Sequence, residues 1–118
     1  MSLHNELGHW GESMAAAYLR DQHYAIIERD WHSGHRDIDI VAVDGNQLVF
    51  VEVKTRRNHN SGHPLDAIDA EKMNNLRQAI HHYVKSHNES RSYRLDFITV
   101  IGTEFELPEI KHYKDVML

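Results

Sequence analysis

The sequence predicts an α/β domain, a mixed sheet layered with helices. Three observations predict it. Two stretches, one near the N-terminus and one in the second half, repeat apolar residues at the helical period. Between them runs an apolar hairpin over residues 37–54, turning at Asp44-Gly45-Asn46. After the second helical stretch comes LDFITVI, a further strand.

Each element has its own signal. Residues 6–22 place Leu7, Trp10, Met14, Ala17 and Tyr18 on one helical face, with Asn5 as the expected cap. Glu12 lies off that face among Gly8, Ala15 and Leu19, small neighbours that allow another element to approach. YAIIERDW, residues 24–31, is a strand, and HSGH a loop. Strands follow at residues 37–43 and 48–54. The polar RRNHNSGHPL, with Gly and Pro, is a turn region. Asp69 caps a second helix whose buried stripe is Met73, Leu76, Ile80, Tyr83 and Val84. The last two strands are residues 95–101 and, after Pro108, a short edge strand at residues 109–113.

At 118 residues a single domain over 1–118 is expected. The absence of cysteine excludes disulfides, thiolate zinc sites and a cysteine nucleophile, and fits a reducing compartment. No signal-peptide pattern and no run of about 18 apolar residues is present, so a cytoplasmic protein without membrane partners is expected. The net charge of −5 argues against tight non-specific binding to phosphate backbones. Its distribution tempers that conclusion. Residues 1–50 hold 3 Lys/Arg against 8 Asp/Glu, whereas residues 51–118 hold 10 of each. Lys54, Arg56 and Arg57 form a local basic lip.

The hairpin carries four charges that its hydrophobicity does not explain: Asp37, Asp39, Glu52 and Lys54. Strict alternation puts Ile38, Ile40, Ala42, Val49, Val51 and Val53 on one face. It puts the charges with Val41, Val43, Leu48 and Phe50 on the other. A two-residue loop at Asp44-Gly45 sets Asp37 opposite Glu52; a four-residue loop sets Asp39 opposite Glu52. A three-residue loop separates the sets and buries charge against hydrocarbon, which is costly. Both acceptable registers therefore juxtapose carboxylates, and like charges across a sheet need compensation. Lys54, a bound proton or a divalent cation such as Mg²⁺ or Mn²⁺ held by Asp39 and Glu52 would each supply it. A surface ion-pair patch is the alternative.

The order Asp, short hairpin, Glu-x-Lys resembles the PD-(D/E)XK nuclease superfamily. The stretches GHWGESMAAAYL, RDW, DIDIVAVDGNQLVFVEVKTR, AIDAEKMNNLRQAIHHYV and YRLDFITVI resemble the YraN-like family in order and spacing, over nearly the whole chain. That family is similar to archaeal Holliday-junction resolvases. The resemblance implies a restriction-endonuclease-like mixed central sheet flanked by helices. It implies a Mg²⁺- or Mn²⁺-dependent endonuclease acting on branched or damaged DNA. Asp39, Glu52 and Glu12 would be metal ligands, with the Val53 carbonyl as a further one. Lys54 would be the catalytic lysine. Asp37 replaces the family's usual Glu and keeps the charge; Arg36 replaces its usual Gly and adds a cation beside the site. Arg36, Arg56, Arg57 and Lys72 are candidates to hold phosphates. Two-fold pairing of chains would suit a junction substrate.

Two other classes compete: a non-catalytic nucleic-acid-binding domain that keeps the fold, and a protein-recruiting domain, which the acidic net charge favours. The 11 histidines invite a zinc reading. His59 and His63 fall in a loop, however, and adjacent His81 and His82 cannot share a helix face. Asp96 is expected to pair with Arg94. Lys72 opens a helix, where a cation opposes the dipole, so it faces phosphate, the carboxylates or neither.

Overall fold

A computed structural model of the chain describes residues 3–116. Helix α1 is Leu3–Asp21, so Asn5 lies inside its first turn instead of capping it. Glu6 near its start and Arg20 near its end complement the helix dipole. The helix ends where His23 turns to φ 70. His23 N–H donates to the Arg20 carbonyl (2.9 Å) and Tyr24 N–H to the Leu19 carbonyl (3.0 Å), the bond pair of a Schellman cap.

Strands β1 (Ala25–Ser33), β2 (Arg36–Asp44) and β3 (Gln47–Arg56) form two successive hairpins. The loop expected at HSGH shrinks to two residues, because Ser33 pairs with Arg36 and Gly34 supplies the positive φ of 64 that so tight a turn needs. Gly45, at φ 63, does the same between β2 and β3. Two short 3₁₀ turns then lead to α2 (Ala70–Ser86). The Asp69 side chain caps this helix by accepting from Lys72 N–H at 2.8 Å. Strands β4 (Tyr93–Ile101) and β5 (Glu109–Val116) complete the chain, β5 running three residues beyond the expected edge strand.

The sheet order is β1-β2-β3-β4-β5, with only β3 and β4 parallel. This is the restriction-endonuclease-like arrangement expected: a five-stranded mixed sheet flanked by two helices. Both faces of β3 and β4 are covered, which explains their nearly unbroken apolar runs LVFV and FITV. On one face α1 packs Ala15, Ala16 and Leu19 against Ile40, Ala42, Val49, Val51, Ile98 and Val100. On the other, α2 packs Leu76, Ala79, Ile80 and Tyr83 against Val41, Leu48, Phe50, Leu95 and Phe97. Fully burying one such large side chain contributes about 1.5–3 kcal/mol.

One expectation fails in an informative way. Ile38 packs with Val41 and Phe50 on the α2 face, opposite to Ile40 two residues later. Alternation is broken between them, at Asp39. Close approach of α1 to β3 also depends on a different glycine from the one expected. Gly8 has open space around it, whereas a Cβ on Gly11 would fall 2.0 Å from Thr55 Oγ1. Gly11 thus lets the helix settle onto β3 beside Glu12. Among the described residues, no helix is long and apolar enough to cross a membrane.

Candidate functional site

The β2–β3 ladder runs from Asp44↔Gln47 to Ile40↔Val51 and then stops. Beyond that rung β2 stays paired with β1 as far as Arg36, and β3 stays paired with β4 as far as Arg56. The two strands therefore part like a fork. Asp39 stands at the fork, and its Oδ2 accepts from Val53 N–H at 2.8 Å. A carboxylate thus replaces the main-chain carbonyl that the next rung would have supplied. The register is the one that sets Asp39 level with Glu52, achieved with Asp44 and Gln47 paired and only Gly45-Asn46 turning.

A second distortion delivers a residue the sequence did not single out. Ile27 forms a bulge in β1, and Asp30 takes φ 52. The pairs Arg29↔Ile40 and Trp31↔Ile38 flank the Asp30/Asp39 level, which is itself unpaired. Asp30 and Asp39 meet Glu12 from α1 there, and one oxygen from each lies within 4.8 Å of the others. This cluster, reached by three different elements, could bind a metal ion. Glu52 from β3 is near enough to share a hydrogen bond with Asp39.

The electrostatics are those of crowded acids. Burial, followed by a hydrogen bond to Asp30 and its charge, raises Glu12 from an ordinary 4.5 to about 7, against the lowering effect of Arg29. Burial, then the hydrogen bond and charge of Glu52, hold Asp39 well above the carboxylate range despite the Val53 N–H. Arg29 Nε reaches only to 3.6 Å from Glu12 Oε1. Lys72 Nζ lies 2.9 Å from Glu52 Oε2. Burial pulls the Lys72 pKa down, but Glu52 more than offsets this and leaves it raised. Glu52 Oε2 is thus held by Lys72, whereas Glu12 Oε1 is buried without an aligned hydrogen-bond partner among the described residues. Glu52 is 3% exposed and Glu12 9%. A buried, unsatisfied acceptor is costly, and an oxygen-liganded divalent cation would satisfy it. The all-oxygen donor set fits such an ion.

The remaining predicted residues divide. Lys54 follows Glu52 by two along β3, is half-buried, and has no carboxylate within ion-pair distance among the described residues. Val53 meets the site through its N–H. Lys72 faces the carboxylates. Asp37 is exposed, and its charge reaches Lys72. Arg36 is exposed at the β1–β2 turn, away from the fork. Arg56 Nη1 donates to the Thr55 carbonyl at 3.0 Å, and exposed Arg57 lines a separate cavity with Trp10 and Phe105. The histidines have local tasks: His63 caps Leu65 N–H, His59 meets Glu109 at 2.9 Å, and His82 meets Ser33 at 2.7 Å. Asp30 escaped detection because only a positive φ, invisible in residue alternation, brings its exposed carboxylate alongside Glu12 and Asp39. Its sole sequence signal was a charge in the apolar strand YAIIERDW.

A forked five-stranded sheet that gathers carboxylates from a helix and three strands defines an α/β protein with a buried acidic centre. The chain belongs to the Uncharacterised protein family UPF0102, whose profile matches residues 11–100. A UPF0102 protein of Bacteroides thetaiotaomicron is 43% identical over 113 residues, covering 94% of this chain and 93% of that one. One from Phocaeicola vulgatus is 40% identical over 113 residues with the same coverage, 94% and 93%. One from Leifsonia xyli is 39% identical over 118 residues, 99% of this chain and 100% of its own length. The matched stretch includes Glu12, Asp30, Asp39, Glu52 and Lys54.

Proposed function

We propose that this protein is a metal-dependent endonuclease of the PD-(D/E)XK superfamily, hydrolysing phosphodiester bonds in branched or damaged DNA. The observation that carries this reading is the convergence of Glu12, Asp39 and Glu52 at the strand fork, with a buried oxygen on Glu12 left without an aligned partner and Lys72 the cation against Glu52. Asp39, Glu52 and Glu12 would hold Mg²⁺ or Mn²⁺, joined by Asp30 and by the Val53 carbonyl. Bound there, the ion would supply a water activated near neutral pH and offset the negative charge building on the phosphate oxygens. Lys54, on the strand face of Glu52 and with no carboxylate competing for it among the described residues, orients the attacking water or offsets charge developing on the phosphate. Arg56 and Arg57, at the end of the same strand, hold flanking phosphates, and Arg36 approaches from the β1–β2 turn. Lys72 balances Glu52 and reaches phosphate from the same side.

The test is calorimetric titration of Mg²⁺ and Mn²⁺ into wild-type and Glu52→Ala protein, with cleavage of branched DNA followed on the same samples. Binding and metal-dependent cleavage that both vanish in Glu52→Ala support the reading. Cleavage that survives unchanged in Glu52→Ala or Asp39→Ala overturns it. The net charge of −5 favours a second reading, a non-catalytic nucleic-acid-binding or protein-recruiting domain. In that case DNA binding, where present, is salt-sensitive and no cleavage accompanies it.

A further inference from the structure

Beyond the acidic centre, the most conspicuous feature is a cavity of about 580 Å³ lined by Glu6, Leu7, Trp10, Arg57, Thr103, Glu104 and Phe105. Its volume is that of a small-ligand pocket. Phe105 and Leu107 are 89% and 97% exposed, the two most exposed large apolar side chains among the described residues. This exposure does not come from a slack loop. Gly102 N–H donates to the Arg56 carbonyl at 2.9 Å, which ties the loop's base to the end of β3. Glu106 N–H donates to the Thr103 carbonyl at 3.1 Å, Phe105 N–H to Thr103 Oγ1 at 3.4 Å, and Thr103 Oγ1 to Glu106 at 3.2 Å. The turn is therefore internally bonded around a phenyl ring that it holds out into water. The Trp10 ring lies beside Gly102 at the base of this turn, where a Cβ would be 3.7 Å from its Cη2.

The lining limits what fits. Two aromatic rings favour a flat π-system, a guanidinium favours an anion, and two carboxylates favour N–H donors. A purely apolar partner would leave Arg57, Glu6 and Glu104 without partners. A nucleotide whose base carries an exocyclic amine matches all three kinds of group: stacking for the base, Arg57 for phosphate, and a carboxylate for the amine. A base inside a duplex presents neither of its faces, so the nucleotide must be unpaired.

Chain position links this cavity to the acidic centre. Helix α1 touches β3 at Gly11 and Thr55; along the chain Glu12 and Lys54 adjoin that contact from the acidic centre's side, and Trp10 and, just past the end of β3, Arg57 belong to the cavity. From Glu52 to Arg57 the strand spans about 17 Å, the reach of a few nucleotides of single strand.

We infer that the Trp10–Phe105–Arg57 cavity is a subsite for an unpaired, amine-bearing nucleotide of the nucleic acid whose backbone enters the acidic centre. The inference rests on the nuclease reading for the choice of polymer and adds to it the feature that selects the substrate: a single-stranded element beside the scissile phosphate.

The experiment measures fluorescence anisotropy in EDTA, so that no cleavage occurs. The probes are a labelled duplex bearing a short single-stranded cytosine branch, the same duplex with a thymine branch, and the fully paired duplex. Wild-type protein is expected to prefer the cytosine branch. Phe105→Ala, a change at an exposed side chain, should weaken binding of that branch about tenfold while leaving the paired duplex unaffected. Phe105→Tyr should retain the preference. Equal binding of all three probes by wild type, no binding at all, or a branch preference indifferent to Phe105→Ala overturns the subsite. A cleavage assay on the same probes with Mg²⁺ separates the two proposals. Phe105-dependent binding without cleavage keeps the subsite and removes the nuclease. Metal-dependent cleavage with Phe105-independent binding does the reverse.

Discussion

Two buried charged clusters lie on this sheet, and they are built to opposite rules. Around Asp96, which is wholly buried, every lone pair is used. Its Oδ1 accepts from Arg94 Nε at 3.0 Å and from Asp115 N–H at 2.9 Å, and its Oδ2 meets His112 Nε2 at 2.7 Å and accepts from Arg94 Nη2 at 3.3 Å. Arg94 in turn donates to Gln47, Tyr24 and Asp44 at 2.9, 2.8 and 3.2 Å. Burial pushes Asp96 up, but His112, Arg94 and the Asp115 N–H together outweigh it and leave its pKa lowered. At the fork the balance is reversed: Glu12 and Asp39 are raised, and a buried Glu12 oxygen lacks an aligned partner among the described residues. A satisfied network ties β3, β4 and β5 together, whereas an unsatisfied one holds free energy that a ligand can release. The contrast is between a cluster whose charges are matched and one whose carboxylates outnumber the cations that face them.

The largest expected effect tests the structural half. Asp96→Ala leaves Arg94 buried without its main partner and should cost about 3–5 kcal/mol in urea unfolding. A loss below about 1 kcal/mol would show that the network is solvated and the contrast unfounded. Next comes pH. Folding raises the Glu12 pKa, so the native state binds more protons than the unfolded chain between pH 4.5 and about 7. Stability therefore falls as pH rises through that window, by on the order of 2 kcal/mol. Asp39, raised as well, acts in the same direction. Denaturant melts across the window should show this decline in wild type and a flatter profile in Glu12→Gln. Asp96 has the opposite sign: its lowered pKa adds stability that is lost as pH falls through the carboxylate range.

A smaller effect is expected from Asp39→Asn in chelator. The amide still accepts from Val53 N–H while removing a repelled charge, so the protein should gain about 1 kcal/mol and lose metal binding by calorimetry. A destabilised Asp39→Asn protein with unchanged metal affinity would mean that the fork is merely structural. The smallest effect is that of Lys54→Met. With no ion pair to break, its unfolding free energy should stay within about 0.5 kcal/mol of wild type, while cleavage of branched DNA is abolished.

How far the two clusters could be read from residues alone follows from what positions them. The α2 stripe and the apolar strands were legible because period and burial coincide there. The pairing of Arg94 with Asp96 was legible because they are two residues apart on one strand face. The hairpin register was narrowed to two choices, since nothing local decides whether Asp44 belongs to the turn or to the strand. Asp30 and the flip at Ile38 were not legible. Both depend on backbone departures, a bulge at Ile27 and a positive φ at Asp30, that break the alternation on which the reading relied. Arg57 was grouped with Lys54 by proximity along the chain, but three residues of strand suffice to carry it to a different cavity.

The same departures have a consequence at the margins of the sheet. β1 and β5 are its two outer strands, and an outer strand with a straight row of free N–H and C=O groups invites another chain to join it. Here each is bent: β1 at the Ile27 bulge and Asp30, β5 where its pairing with β4 slips by one residue near Asp115, itself at φ 55. The kink that turns Asp30 toward Glu12 thereby also denies a neighbouring molecule a flat template, so the geometry that gathers the carboxylates guards the protein against edge-to-edge aggregation.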